Sequence, residues 1–297
     1  MRLEAFHHIT MITGDAQADV DFYAGRLGLR LVKQTVNFDR PSAYHLYFGD
    51  EAGHPGSLLT WFEFPGARPG LAGDGMIHLI QLGVGSPESL DFWAERLAGE
   101  RTEDALRFRD YDGLAFELVV GSAGPALRAE HPEIPAEHAI TGVIGARAYG
   151  AGGAPVLVDT LGFEDLGDGE YRLVGEERTV RWGYDAPPAD RGRAGAGTVH
   201  HIAWASRDED HLAWQEHVRA TGLEVTDVRD RDYFKSIYFN EPSGVLFEIA
   251  TLSPGFAVDE DPAHLGEALR LPRQHQHLRE ELERALTPLV NPRAVTT

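Results

Sequence analysis

One pattern, written four times along the chain, constrains its folding more than any other feature. The first copy opens with Phe6-His7-His8-Ile9-Thr10-Met11-Ile12, whose alternation marks a half-buried strand. A polar turn with Asp15 follows, then the helical stretch from Val20 to Leu27, stopped by Gly28. Tyr44 to Phe48 and Ser57 to Phe62 complete the unit as two strand-like runs around a Gly/Pro-bearing turn. The same order recurs at Met76 to Val120, where Leu90 to Leu97 repeats the helix. It recurs more weakly from Ile140 to about Tyr184, and clearly from Thr198 to Leu252, which begins Val199-His200-His201-Ile202-Ala203-Trp204. Four βαβββ units are the economical reading, giving an α+β protein.

Linkers divide the repeats. The Gly, Pro and charge-rich stretch 123–138 separates a first half, residues 1–122, from a second, 139–252, each holding two units. Beyond Leu252 the pattern stops. The tail 253–297 has one helical candidate, with Leu278, Leu282 and Leu286 four apart, and is expected to pack on the main body.

Composition narrows the chemistry. The chain of 297 residues carries 47 acidic against 27 basic side chains, a formal charge of -20 that repels phosphate backbones and anionic lipid. Nucleic acid and membrane are therefore not expected partners. No apolar run approaches the roughly 20 residues that span a bilayer, and the start lacks the basic-then-apolar signal pattern. A cytoplasmic location is the expectation. With no cysteine, thiolate sites and thiol nucleophiles are excluded, which leaves His, Asp and Glu as metal ligands.

Position within the repeat sorts the 14 histidines. His8 in the first unit and His201 in the fourth occupy the same place in their opening strands, and strict alternation would turn their neighbours His7 and His200 to the other face. A lone strand histidine is usually a satisfied core or surface residue; two at equivalent places in separate repeats point to a shared task. In the closing strands, Glu117 and Glu248 each lie four residues after a turn glycine. A carboxylate among Leu246, Phe247 and Ile249 is costly to bury unless it meets a cation. A surface position or an arginine partner would also satisfy it.

The four units, the histidine heading a first strand and the Gly-x-x-x-Glu closing strand resemble the vicinal oxygen chelate superfamily of glyoxalases, extradiol dioxygenases and bleomycin-resistance-type binding proteins. Tyr238-Phe239-Asn240-Glu241-Pro242-Ser243-Gly244 resembles the extradiol signature. Nearly the whole chain is similar to bacterial ring-cleaving dioxygenases that open hydroquinones and catechols, notably through Val32 to Asp39 and Tyr233 to Phe239. The resemblance implies two glyoxalase/extradiol-type domains with open, strongly curved mixed sheets. If the first and fourth units share a cavity, its ligand slots hold His8, Thr60, His201 and Glu248. Two histidines and one carboxylate suit Fe(II), with Mn(II) or another divalent metal sharing the preference.

A rival pairing of the first and second units would use His8, His78 and Glu117. Counting back from the helix makes His78 a ligand, whereas counting forward from the linker aligns it with His200 and Leu79 with His201; the second ruler is preferred. The resemblance also implies a hydrogen bond from Tyr238 to an oxygen near the metal. The acid–base histidine of the extradiol signature is absent, its place taken by Arg229, Asp230 and Arg231. His200, His7 and His45 are candidates to replace it, His200 being the one assigned a catalytic role beside Tyr238. Tyr44, Trp61, Trp204, Tyr233 and Phe234 are expected to line the cavity.

The expected activity is therefore that of an Fe(II)-dependent, extradiol-type dioxygenase acting with O2 on a small hydroquinone- or catechol-like substrate, as a monomer or a homo-oligomer. A glyoxalase- or isomerase-like metalloenzyme and a non-catalytic module sequestering small aromatics are the alternatives.

Overall fold

The computed structural model describes residues 1–150 and 152–292; the last five residues of the expected tail lie outside the described residues. The first unit contributes β1 (Leu3–Thr13), β2 (Arg30–Val36), β3 (Tyr44–Gly49) and β4 (Leu58–Glu63), and the second β5 (Ile77–Val84), β6 (Gly99–Arg101), β7 (Ala105–Arg109) and β8 (Ala115–Val120). The third supplies β9 (Val143–Tyr149), β10 (Glu164–Gly167), β11 (Glu170–Val174) and β12 (Thr179–Asp185). The fourth supplies β13 (Thr198–Ser206), β14 (Arg229–Asp230), β15 (Lys235–Asn240) and β16 (Leu246–Thr251).

Each unit places its helix after its first strand. In the first, the Asp15 carboxylate accepts from the Ala18 amide and starts α1 (Ala16–Asp19), which widens into a π-type turn over Val20–Arg26. Gly28 ends it at a φ of +70°, where a Cβ would come 2.4 Å from Ile134 Cδ1, so a side chain there would be both strained and crowded. Ser86 and Pro87 start α2 (Pro87–Arg96), and α3 (His211–Ala220) serves the fourth unit. The third unit, the weakest repeat, keeps only a π-type turn at Val156–Thr160.

The units combine by an outer and an inner pairing. One sheet runs β14-β15-β16-β13-β1-β4-β3-β2, from the fourth and first units; the other runs β10-β11-β12-β9-β5-β8-β7-β6, from the third and second. The sheets thus cut across the two halves of the chain, and no named strand or helix falls in 123–138. A single apolar core joins them, with Trp182 of β12 packed 5.8 Å from Trp204 of β13 and Phe6 stacked on Trp204.

The tail packs on the main body. Its helix α4 (Arg279–Ala285) buries Leu282, and Leu286 follows it into the core. Upstream, Phe256 and Leu265 pack among Val32, Tyr47 and Tyr233, filling one end of the first sheet's interior. Lys33 of β2, fully buried, bonds Asp259 at 2.6 Å, the Glu260 carboxylate and the Phe256 carbonyl at 3.1 Å. Its ammonium also lies 4.7 Å over the Tyr233 ring. No helix among the described residues is long and apolar enough to cross a membrane.

Removing one partner of a buried ion pair strands the other, at a cost of roughly 3–5 kcal/mol. Lys33→Ala should therefore lower unfolding free energy by about that amount in urea titrations and expose the tail to limited proteolysis. An unchanged midpoint with an intact tail would contradict this anchor.

Candidate metal centre

Strand register brings the candidate ligands together. β1 pairs antiparallel with β13 and parallel with β4, so Thr10 faces His201, His8 faces Ala203, and Thr60 lies beside Thr10. β16 pairs parallel with β13 and antiparallel with β15, setting Glu248 against both Ala203 and Tyr238. Cross-strand partners share a sheet face, as do residues two apart. His8, Thr60, His201, Glu248 and Tyr238 therefore all point to one side. The two imidazole Nε2 atoms lie 3.2 Å apart, and Glu248 Oε2 lies 2.9 Å from His201 Nε2 and 3.4 Å from His8 Nε2. All three side chains are buried, at 2%, 4% and 0% exposure for His8, His201 and Glu248.

Adjacent histidines set which ring nitrogen carries a proton. His7 Nε2 donates to the Thr251 carbonyl at 3.1 Å, which leaves His7 Nδ1 as an acceptor for His8 Nδ1 at 2.9 Å. His8 Nε2 is then a lone pair aimed at the centre. His200 Nδ1 and His201 Nδ1 make the matching contact at 2.8 Å. Burial, reinforced by the neighbouring His8, pushes the His7 pKa down to about 3, so that ring is neutral at pH 7; His200 is more exposed, and its pKa is lowered by partial desolvation and by the neighbouring His201. Such outer hydrogen bonds fix the tautomer and ring orientation of metal-binding histidines.

The carboxylate completes a donor set that fits a divalent cation. Glu248 Oε1 accepts from Ser236, but Oε2 is buried with no hydrogen-bond partner. Its nearest polar neighbours are the two imidazole nitrogens, His201 Nε2 at 2.9 Å and His8 Nε2 at 3.4 Å. Burial alone would raise the Glu248 pKa; positive charge at His8 and His201 and hydrogen bonds from them outweigh it and hold the carboxyl well below its usual range, so with both imidazoles neutral the carboxylate calls for a cation in their place. Among the described residues these three form the group able to hold a metal ion. Two neutral imidazoles and one carboxylate, with other coordination positions open, are the ligands that non-haem Fe(II) and related ions accept.

His7 and His200 do not turn to the opposite face as strict alternation predicts. From Phe6 to His8, β1 advances two residues while β13 advances one; from Thr10 to Met11, β13 advances two. His7 and His200 are thus the extra residues of two β-bulges, which re-aim each ring beside the ligand that follows it.

A cavity of about 340 Å³ opens over His8 and His201, walled by Phe38, Phe62, Phe64 and Phe234 and edged by His45, His200, Arg231 and Tyr238. Of the five aromatics expected from sequence, only Phe234 lines it: Trp61 and Trp204 are core residues, Tyr44 bonds the Thr287 carbonyl, and Tyr233 packs against Lys33. The fourth slot is not a ligand, since Thr60 Oγ1 bonds Thr10 at 2.8 Å and His45 Nε2 at 3.1 Å. Arg231, Ser236 and the bulged histidines' contacts were not assigned from sequence. Arg231 Nε donates to the Tyr238 hydroxyl at 3.3 Å.

Comparison with known proteins fits this architecture. Residues 5–118 and 157–249 match the model of the Glyoxalase/Bleomycin resistance protein/Dioxygenase superfamily. The chain belongs to that superfamily. It is 44% identical, over 95% of both chains, to a Bacillus subtilis protein named "Putative ring-cleaving dioxygenase MhqO". It is 32% identical to the chlorohydroquinone/hydroquinone 1,2-dioxygenase of Sphingobium indicum, over 97% of this chain and 98% of that one. A crystal structure of a Bacillus subtilis protein superposes with a TM-score of 0.90 at 42% identity, covering 98% of both chains.

The second sheet of this superfamily member has the same register with different side chains. Leu79 stands where His8 does, Gly145 for His201, Gly183 for Glu248 and Glu117 for Thr60. A Cβ at Gly145 would meet Gln81 Oε1 at 2.3 Å and one at Gly183 would meet Arg147 Nη1 at 2.6 Å, so an amide and a guanidinium fill those slots. Glu117 bonds Arg107 and Gln81, each at 2.7 Å, and His78, another bulge residue, bonds Asp185 at 2.8 Å. His78 and Glu117 therefore lie in the other sheet from His8, each with a partner of its own.

Elemental analysis after dialysis checks the centre. His201→Ala and Glu248→Gln should each lose nearly all bound divalent metal, while His7→Phe should bind it roughly 10- to 100-fold more weakly. A His201→Ala protein that retains one equivalent would contradict the assignment.

Proposed function

We propose that this protein is an Fe(II)-dependent, extradiol-type dioxygenase that opens a hydroquinone- or catechol-like ring with O2, using His8, His201 and Glu248 as metal ligands. The observation that carries the reading is the orphaned Glu248 Oε2 facing the Nε2 atoms of two imidazoles beside a phenylalanine-walled cavity. The names of the dioxygenase relatives support the reaction class, and that of the Sphingobium protein supports a hydroquinone.

When bound, Fe(II) would supply coordination positions for a phenol oxygen and O2 and would favour the phenolate over the phenol. The chain's own groups do the rest. Phe38, Phe62, Phe64 and Phe234 give the cavity apolar walls suited to one aromatic ring. Tyr238 accepts from Arg231 and so keeps its own proton for a substrate oxygen, and burial raises its pKa, keeping it protonated. His200, held at Nδ1 by His201, presents Nε2–H as a second donor at the cavity edge. These two residues are assigned the proton-handling roles.

Protein purified without oxygen and loaded with one equivalent of Fe(II) should consume one O2 per methylhydroquinone, with loss of the aromatic absorbance. Tyr238→Phe should lower kcat by roughly 100-fold while retaining iron. An absence of oxygen uptake across a panel of hydroquinones and catechols would overturn the proposal.

A further inference from the structure

Two loops from opposite ends of the first sheet frame the cavity mouth. One, residues 37–40, follows β2 and contributes Phe38; the other, residues 230–234, joins β14 to β15 and contributes Arg231 and Phe234. At the apex of the second loop, Asp232 has a φ of +61°, a left-handed backbone that costs a non-glycine residue energy and persists only where its surroundings enforce it. Hydrogen bonds from Asp232 N to Asp230 Oδ1 at 2.9 Å and from Tyr233 N to the Arg231 carbonyl at 2.7 Å tighten the turn. It aims Arg231 across the mouth, where its Nη1 lies 3.2 Å from Asp39 and its guanidinium covers the rings of Phe38 and Tyr238.

Three consecutive tail residues grip both loops. Arg273 donates to Asp232 twice, from its amide at 2.8 Å and from Nε at 2.6 Å, and its Nη2 lies 3.3 Å from Asp230. Gln274 Nε2 and His275 Nε2 both donate to the Phe38 carbonyl, at 2.6 and 2.8 Å. The Arg273 side chain is 74% exposed, and an exposed ion pair alone contributes little to stability. Here, however, guanidinium and amide together orient one carboxylate on a strained residue.

We propose that Arg273–Gln274–His275 is a clasp that sets the width of the cavity mouth, and that Arg273 and Asp232 are positioning residues acting on substrate through Arg231. The inference rests on the reading of this cavity as the substrate site. The clasp joins loops from the first and fourth units without touching a metal ligand.

Anaerobic calorimetry with methylhydroquinone on the iron-loaded protein, together with backbone hydrogen exchange on the protein without substrate, tests it. Arg273→Ala should weaken methylhydroquinone binding about tenfold, leave iron content unchanged, and speed exchange in residues 37–43 and 229–234 but not in β13 or β16. Arg273→Lys should recover part of the affinity. Asp232→Gly, which relieves the backbone strain and so folds readily, should weaken binding to the same degree. Unchanged affinity in both Arg273→Ala and Asp232→Gly, or unchanged exchange in the two loops, overturns the clasp. Should the unsubstituted protein bind no phenol, the substrate reading falls, and the exchange comparison alone upholds or overturns the clasp.

Discussion

The antiparallel seam between β1 and β13 is the contact on which the rest of the site depends. It joins the first unit to the fourth, across 193 positions between His8 and His201, and its register decides which side chains meet. A slip of one residue in either strand would send its imidazole to the far face of the sheet and part it from the other. The two bulges add a second requirement. They absorb one extra residue on each strand, so that a ligand histidine and its hydrogen-bonding neighbour serve the same centre from adjacent positions.

The two sheets show how one register supports different chemistry. In the first, the slots hold His, His and Glu, three groups whose donor atoms have no common partner but a cation. In the second, glycines at two of those slots admit Arg147 and Gln81, and Arg107 answers Glu117. A permanent guanidinium there compensates the buried acid, as a bound cation would in the other. The tail reinforces the difference, because Phe256, Leu265 and the Lys33 ion pairs occupy the interior of the first sheet.

Much of this was legible in the sequence because period-two patterning and repeat position are local signals. The four units and the placement of His8, His201 and Glu248 in their strands followed from them, while the preference for pairing the first unit with the fourth drew on the spacing from the linker together with the family resemblance. What escaped depends on long-range geometry. Alternation alone cannot register a bulge, since the extra residue is extra only relative to its partner strand; His7 and His200 were therefore turned the wrong way. Aromatic type likewise does not distinguish cavity wall from core, which is why Trp61 and Trp204 were misplaced. The clasp at Arg273 was invisible because its partners, Asp230, Asp232 and Phe38, lie 41 or more residues away. The third unit kept its glycine spacing while losing most of its helix.

The central claim is that three buried side chains from the first and fourth units share one cation. An anomalous difference map at the iron absorption edge, from crystals grown without oxygen in Fe(II), measures this directly. The account predicts one dominant peak within bonding distance of His8 Nε2, His201 Nε2 and Glu248 Oε2. A peak in the second sheet beside His78 and Asp185, or no peak in the cavity of the first, would contradict it.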